Sequence, residues 1–141
     1  MRAVLSAWFV AGVLAALALL TLKALAPEAD GRAPVDEYAQ VLRVHLPWLV
    51  GCIAMAFSAG AYVRSPYTSL ARAVAALPVP VAGSFLAAAF GIPMSDTPLA
   101  VGLHLIEAVL GVVLGLFLSG IIADRRDFGR APEGALWRET E

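Results

Sequence analysis

His104 and Glu107 stand three residues apart in VGLHLIEAVLGVVLGLFLSG, residues 101–120. The stretch is otherwise apolar enough to cross a bilayer. A three-residue step puts both side chains on one face of a helix. Glu107 follows Pro98 by nine residues, or about 13–14 Å at 1.5 Å per residue, close to the midplane. A charge at that depth costs about 3 kcal/mol on insertion scales. Two arrangements avoid the cost: a protonated carboxyl that hydrogen-bonds a neighbouring helix, or a polar cavity or cationic partner. No Lys or Arg of the chain falls at a matching depth, and His104 is the one ionisable neighbour that spacing assigns. Glu107 and His104 are therefore the candidate proton, ion or buried polar site, because intramembrane ionisable residues mark such sites.

The second histidine, His45, sits in a similar context. Val44-His45-Leu46 is followed by Gly51 and then Phe57-Ser58-Ala59-Gly60. Leu103-His104-Leu105 is followed by Gly111 and then Phe117-Leu118-Ser119-Gly120. The parallel suggests two related helical hairpins about an axis normal to the membrane. Two histidines in the outer halves of facing helices could ligate a b-type haem or line a quinone site. Against this, Pro47 is expected to bend the chain and leave His45 in the interface, too shallow to face His104. No arginine pattern for haem propionates is evident, so no cofactor is expected and haem b stands as the alternative. His104-x-x-Glu107 is also one of the two pairs that a di-iron bundle needs. The second pair and two further carboxylates are missing, so no metal is expected from spacing.

The helices that must position these residues are marked by hydropathy. Of 141 residues, 60% are hydrophobic and 15% charged, with a mean hydropathy of +0.81. Soluble domains carry about a quarter charged residues. Here the charges collect at the ends and between four apolar stretches, about 3–26, 46–63, 69–90 and 98–123. Each approaches or exceeds the roughly 18–20 residues needed to span a hydrocarbon core. The expected fold is all-α, an integral membrane four-helix bundle. One transmembrane domain covers 1–123, and a short charged tail covers 124–141. A start resembling a signal peptide, with Ala24-Leu25-Ala26 as its cleavage site, is disfavoured by the length of the run, by Lys23 and by Pro27.

Seven of the ten Lys and Arg residues (Arg2, Arg64, Arg72, Arg125, Arg126, Arg130, Arg138) fall on one side of a four-span arrangement. Lys23, Arg32 and Arg43 fall on the other. That bias predicts a multi-pass protein of the cell membrane with both termini in the cytoplasm. Trp8, Trp48, Tyr62 and Tyr67 are expected in the headgroup zone. In the first outer loop, Asp36 is expected to cap an amphipathic helix, with Val35, Tyr38, Val41, Leu42 and Val44 at helical spacing, lying on the surface before Pro47. Pro78 and Pro80 are expected to kink the third span. Thr97 and Pro98 are expected to start the fourth.

Steps of three and four along the fourth span place Thr97, Ala100, His104, Glu107, Gly111, Gly115 and Ser119 on one face. Gly111 and Gly115 form a GxxxG, which with Ser119 lets another helix approach closely. Ala56 and Gly60 give the second span small steps of its own. Cys52, the single cysteine, is expected to be a buried, inert thiol.

A net charge of −1 offers no basic surface for nucleic acid. No nucleophile–base set or phosphate loop is present, so soluble-enzyme chemistry is not expected. Three functional readings follow. The leading one is a non-catalytic accessory or assembly subunit, whose membrane-protein partners or further copies of itself supply what Glu107 needs. The second is a small proton-coupled transporter or channel built on Glu107, with His104 as relay and the Pro78–Pro80 break as hinge. The third is an electron-transfer subunit binding haem or quinone through His45 and His104.

Overall fold

The computed structural model describes residues 2–25, 41–63, 69–89 and 98–128. Every described element is helical. They are α1 (Arg2–Leu25), a five-residue π-turn (Val41–His45) leading into α2 (Leu46–Tyr62), α3 (Ser69–Ala76), α4 (Pro78–Ala89) and α5 (Pro98–Phe128). Four helical stretches are long and apolar enough to cross a membrane: Arg2–Leu25, Leu42–Tyr62, Leu70–Ala87 and Val101–Ala123. The Asp36 cap, Thr97, Tyr67, the Ala26 side of the cleavage site and the tail beyond Phe128 lie outside the described residues.

Burial runs opposite to that of a soluble bundle. Only 22–39% of the residues in each apolar span are buried, and large side chains such as Phe9, Leu99 and Phe117 point outward. The solvent such a surface suits is lipid. Lipid gives helices no hydrophobic reason to associate, so close van der Waals packing must hold them. Small residues supply it. The buried stripe of α1 is Ala7, Ala11, Ala15, Leu19 and Leu22, at steps of four and three that keep one face inward. Helix α2 is the centre of the bundle, packed on α1 and α5. A Cβ on Gly51 of α2 would lie 3.0 Å from the Ala18 Cβ of α1.

The α2–α5 seam is tighter. A Cβ on Gly111 would fall 2.5 Å from the Cys52 Cβ, and one on Gly115 would fall 2.5 Å from the Ile53 carbonyl oxygen. A Cβ on Gly60 would overlap the Ser119 hydroxyl. Gly111, Gly115, Ser119 and Gly60 thus lie along an intramolecular seam. Each glycine is where a backbone or side chain of the opposite helix comes too close for any other residue.

Proline shapes two of the spans. Pro78 and Pro80 divide the third into α3 and α4 at Leu77. Two backbone bonds still carry the chain across: Leu77 N–H to the Ala73 carbonyl at 2.9 Å and Val81 N–H to the Leu77 carbonyl at 3.2 Å. Pro47, near the start of α2, has no N–H to offer a carbonyl of the turn before it. That turn is π rather than α, and single π-turns inside helices recur at functional sites.

The fourth apolar span ends at Ala123, as expected, and helix α5 itself runs on past it to Phe128. Arg72, near the start of the third span, lies in α3 and donates from Nη2 to the Ser119 hydroxyl at 2.9 Å.

Candidate functional site

Three ionisable residues converge where the start of α2 meets the N-terminal half of α5. Glu107 bridges two imidazoles. His45 Nδ1 lies 2.7 Å from Glu107 Oε1, and His104 Nδ1 lies 3.1 Å from Glu107 Oε2. The two imidazole rings are 5.4 Å apart between centroids and inclined by 39°. The side chains are 18%, 2% and 12% exposed for His45, His104 and Glu107, so water is largely excluded from all three.

His45, expected to be too shallow to face His104, meets it, with ring centroids 5.4 Å apart. No break in the helical backbone separates His45 from α2 at Pro47. The π-turn runs directly into α2, and His45 keeps helical backbone angles (φ −69°, ψ −45°). His45, Trp48 and Cys52 then follow at steps of three and four and share one face. Trp48 and Cys52 are fully buried on it.

The two contacts to Glu107 differ in kind. His104 and Glu107 meet in hydrogen-bonding geometry. His45 Nδ1, although closer, makes no hydrogen bond, and it is buried. Its approach to the carboxylate is electrostatic rather than directional, and a buried polar atom in that state lacks compensation for its lost water.

The backbone of His104 is held from two further helices. Trp48 Nε1 donates to the His104 carbonyl at 3.3 Å, and Ser84 Oγ reaches the same oxygen at 3.2 Å. Ser84 also stands 3.1 Å from the Pro80 carbonyl. One hydroxyl carries one proton, so Ser84 serves one carbonyl at a time. The Trp48 ring meets the His104 ring edge-on, at 6.2 Å and 72°. A Cβ on Gly83 would lie 2.7 Å from the tip of that indole, so α4 needs glycine there. Trp48, expected as a headgroup-zone ring, is wholly buried within the protein and props the site. Gly83, and the supporting roles of Trp48 and Ser84, are what sequence reasoning missed. The shared helical face of His45, Trp48 and Cys52 is the available signal for Trp48.

Towards the C-terminal end of α5 from Glu107 the seam closes. Gly111, Cys52, Gly115 and Ile53 pack against one another. The next polar contact along α5 is Ser119 with Arg72, twelve residues on and about 18 Å away at 1.5 Å per residue. Pro78 and Pro80 lie on α4 near Ser84, at the break rather than at the carboxylate.

One carboxylate and two imidazoles in this arrangement can share protons or hold a cation, each offering one donor atom within 4.8 Å of the others. Spacing alone shows no such cluster, because His45 reaches it from another helix. No protein-family model matches the chain, and no curated protein or solved structure matches it either.

Proposed function

We propose that this chain is a small multi-pass membrane protein that takes up a cation at His45, His104 and Glu107 and passes it across the bilayer, with both termini in the cytoplasm. The observation that carries the reading is the bridging of Glu107 by two imidazoles of its own chain. An intramembrane carboxylate with its own partners is a self-contained site, and such residues line ion and proton pathways. The seam below it, made of Gly111, Gly115 and Gly60, closes the inward route in this conformation. Passage then requires α2 and α5 to part, and the break at Leu77, where two prolines weaken the helix, gives α4 a place to move.

The accessory-subunit reading drew its weight from a Glu107 in need of a foreign partner and from a small-residue face free for one. Both are met within the chain here. The haem reading asks the two imidazoles to face each other across a macrocycle. Both Nδ1 atoms turn to one carboxylate, which leaves Nε2 of each ring as the nitrogen that would ligate iron.

Purified protein in liposomes tests the proposal. Entrapped dyes should report proton or divalent-cation flux that Glu107→Gln abolishes. Native mass spectrometry that finds foreign subunits at fixed ratio, together with flux-inactive liposomes, would overturn it in favour of the accessory reading. A haem-sized bound mass would favour electron transfer.

A further inference from the structure

We propose that His45, His104 and Glu107 bind one divalent ion of the late first-row transition series, with zinc as the reference case. This deepens the cation reading by naming the cargo, and it rests on the same three residues.

The donor set carries the chemistry. Two imidazole nitrogens and one carboxylate oxygen are a recurrent catalytic-zinc set, in which a fourth position stays open to water or an exchanging ligand. The same set with more open positions also serves non-haem iron(II). Magnesium and calcium prefer shells of oxygen, and copper(I) prefers thiolate and thioether. Cys52 is the soft donor closest in sequence to His45, but its thiol is not among the donor atoms that come together, which belong to His45, His104 and Glu107. The site therefore suits a borderline ion held by nitrogen and oxygen. Its open position suits an ion that comes and goes better than one that only braces a fold.

The geometry lies close to what such an ion needs. Each residue places a donor atom within 4.8 Å of the other two. Donors about 2.0–2.2 Å from a tetrahedral ion lie roughly 3.3–3.6 Å from one another. The His45–Glu107 and His104–Glu107 pairs, at 2.7 and 3.1 Å, would open by less than about an ångström to admit an ion of that size. The independent sign of a ligand is His45 Nδ1. It is buried, aimed at the carboxylate and without a hydrogen bond, whereas buried nitrogens are ordinarily satisfied. A metal–nitrogen bond would satisfy it. Trp48 and Ser84, which grip the His104 carbonyl from α2 and α4, would fix one ligand before the ion arrives.

The test uses the full chain purified in detergent with a tag that lacks histidine. Zinc is added in a chelator-buffered series, and bound metal is counted by elemental mass spectrometry. One zinc per chain is expected, with binding weakened at least tenfold in His45→Gln, His104→Gln and Glu107→Gln. Circular dichroism and gel filtration identify variants that remain folded. Cobalt(II) bound to the wild-type chain supplies a readout that needs no variant. Its spectrum should show four-coordinate nitrogen and oxygen ligation without a sulfur charge-transfer band. Absence of stoichiometric zinc, equal binding by folded variants, or a sulfur band from Cys52 would each overturn the assignment. Flux of protons that needs Glu107 but no metal binding would sink the zinc proposal and leave the transport reading standing. Stoichiometric zinc without flux of any cation would do the reverse.

Discussion

Glu107 tolerates its depth because two imidazoles reach its carboxylate, one from its own helix and one from α2. A lone carboxylate there would cost about 3 kcal/mol. Glutamine keeps both an acceptor and a donor at the same place. Glu107→Gln is therefore expected to accumulate in the membrane at the wild-type level, as measured by quantitative blotting of the membrane fraction. Its loss from the membrane would mean that the charge, not the hydrogen bonding, holds the site together. Trp48 is a positioning residue whose indole N–H shares the His104 carbonyl with Ser84. Trp48→Phe removes one donor and leaves the other. A loss of about 1 kcal/mol is expected from unfolding in detergent mixtures.

At the scale of the elements, the seam between α2 and α5 positions the site. Gly115 faces the backbone of Ile53 and Phe57, which cannot give way as a side chain can. Gly115→Leu should force the helices apart and lower stability by roughly 1–3 kcal/mol or more, read as a drop in melting temperature in detergent. An unchanged melting temperature would remove the seam as a structural element. Gly83 presents a different case, since its close neighbour is the tip of the Trp48 ring. Gly83→Ala should destabilise the protein alone and do so less in the Trp48→Phe background, where the ring is smaller. Additive losses in the same melting assay would contradict that contact.

Much of this level is legible in the sequence. Hydropathy locates all four spanning stretches to within a few residues, because lipid demands unbroken apolar runs. Pro78 and Pro80 mark the interruption for a covalent reason. The α5 stripe of His104, Gly111, Gly115 and Ser119 follows from helical period alone, and these residues are buried. Two features are not legible. Pro47 reads as a bend that removes His45 from the bundle, yet the turn before it is a π-turn continuous with α2. Trp48 reads as an interfacial ring because composition says nothing about which neighbour will bury it. Half of the site was visible, His104 with Glu107, because it lies within one helix. The other half depends on which helices become neighbours, a tertiary fact that local spacing does not contain.

The described helices turn most of their large apolar side chains outward and pack their interior largely with alanine, around a few large residues such as Trp48, Leu22 and Met55, with an ionisable cluster between two helices. Such an arrangement is stable only where lipid covers the outer face. The excess of Lys and Arg on one side, seven against three, sets the proposed orientation. A reporter active only in the cytoplasm should therefore work when fused after Glu141 and fail when inserted near Gly31. The opposite pattern would invert the bundle and put His45 and His104 on the cytoplasmic half.

Everything proposed for this protein depends on His45 and Glu107 acting together across α2 and α5. A double-mutant cycle measures that directly, with unfolding free energies for wild type, His45→Leu, Glu107→Gln and the pair. Coupled residues show interaction energies of about 0.5–3 kcal/mol, and a value of about 1 kcal/mol or more is expected here. Losses that add to within about 0.3–0.5 kcal/mol would mark the two residues as independent, and the shared site would not exist.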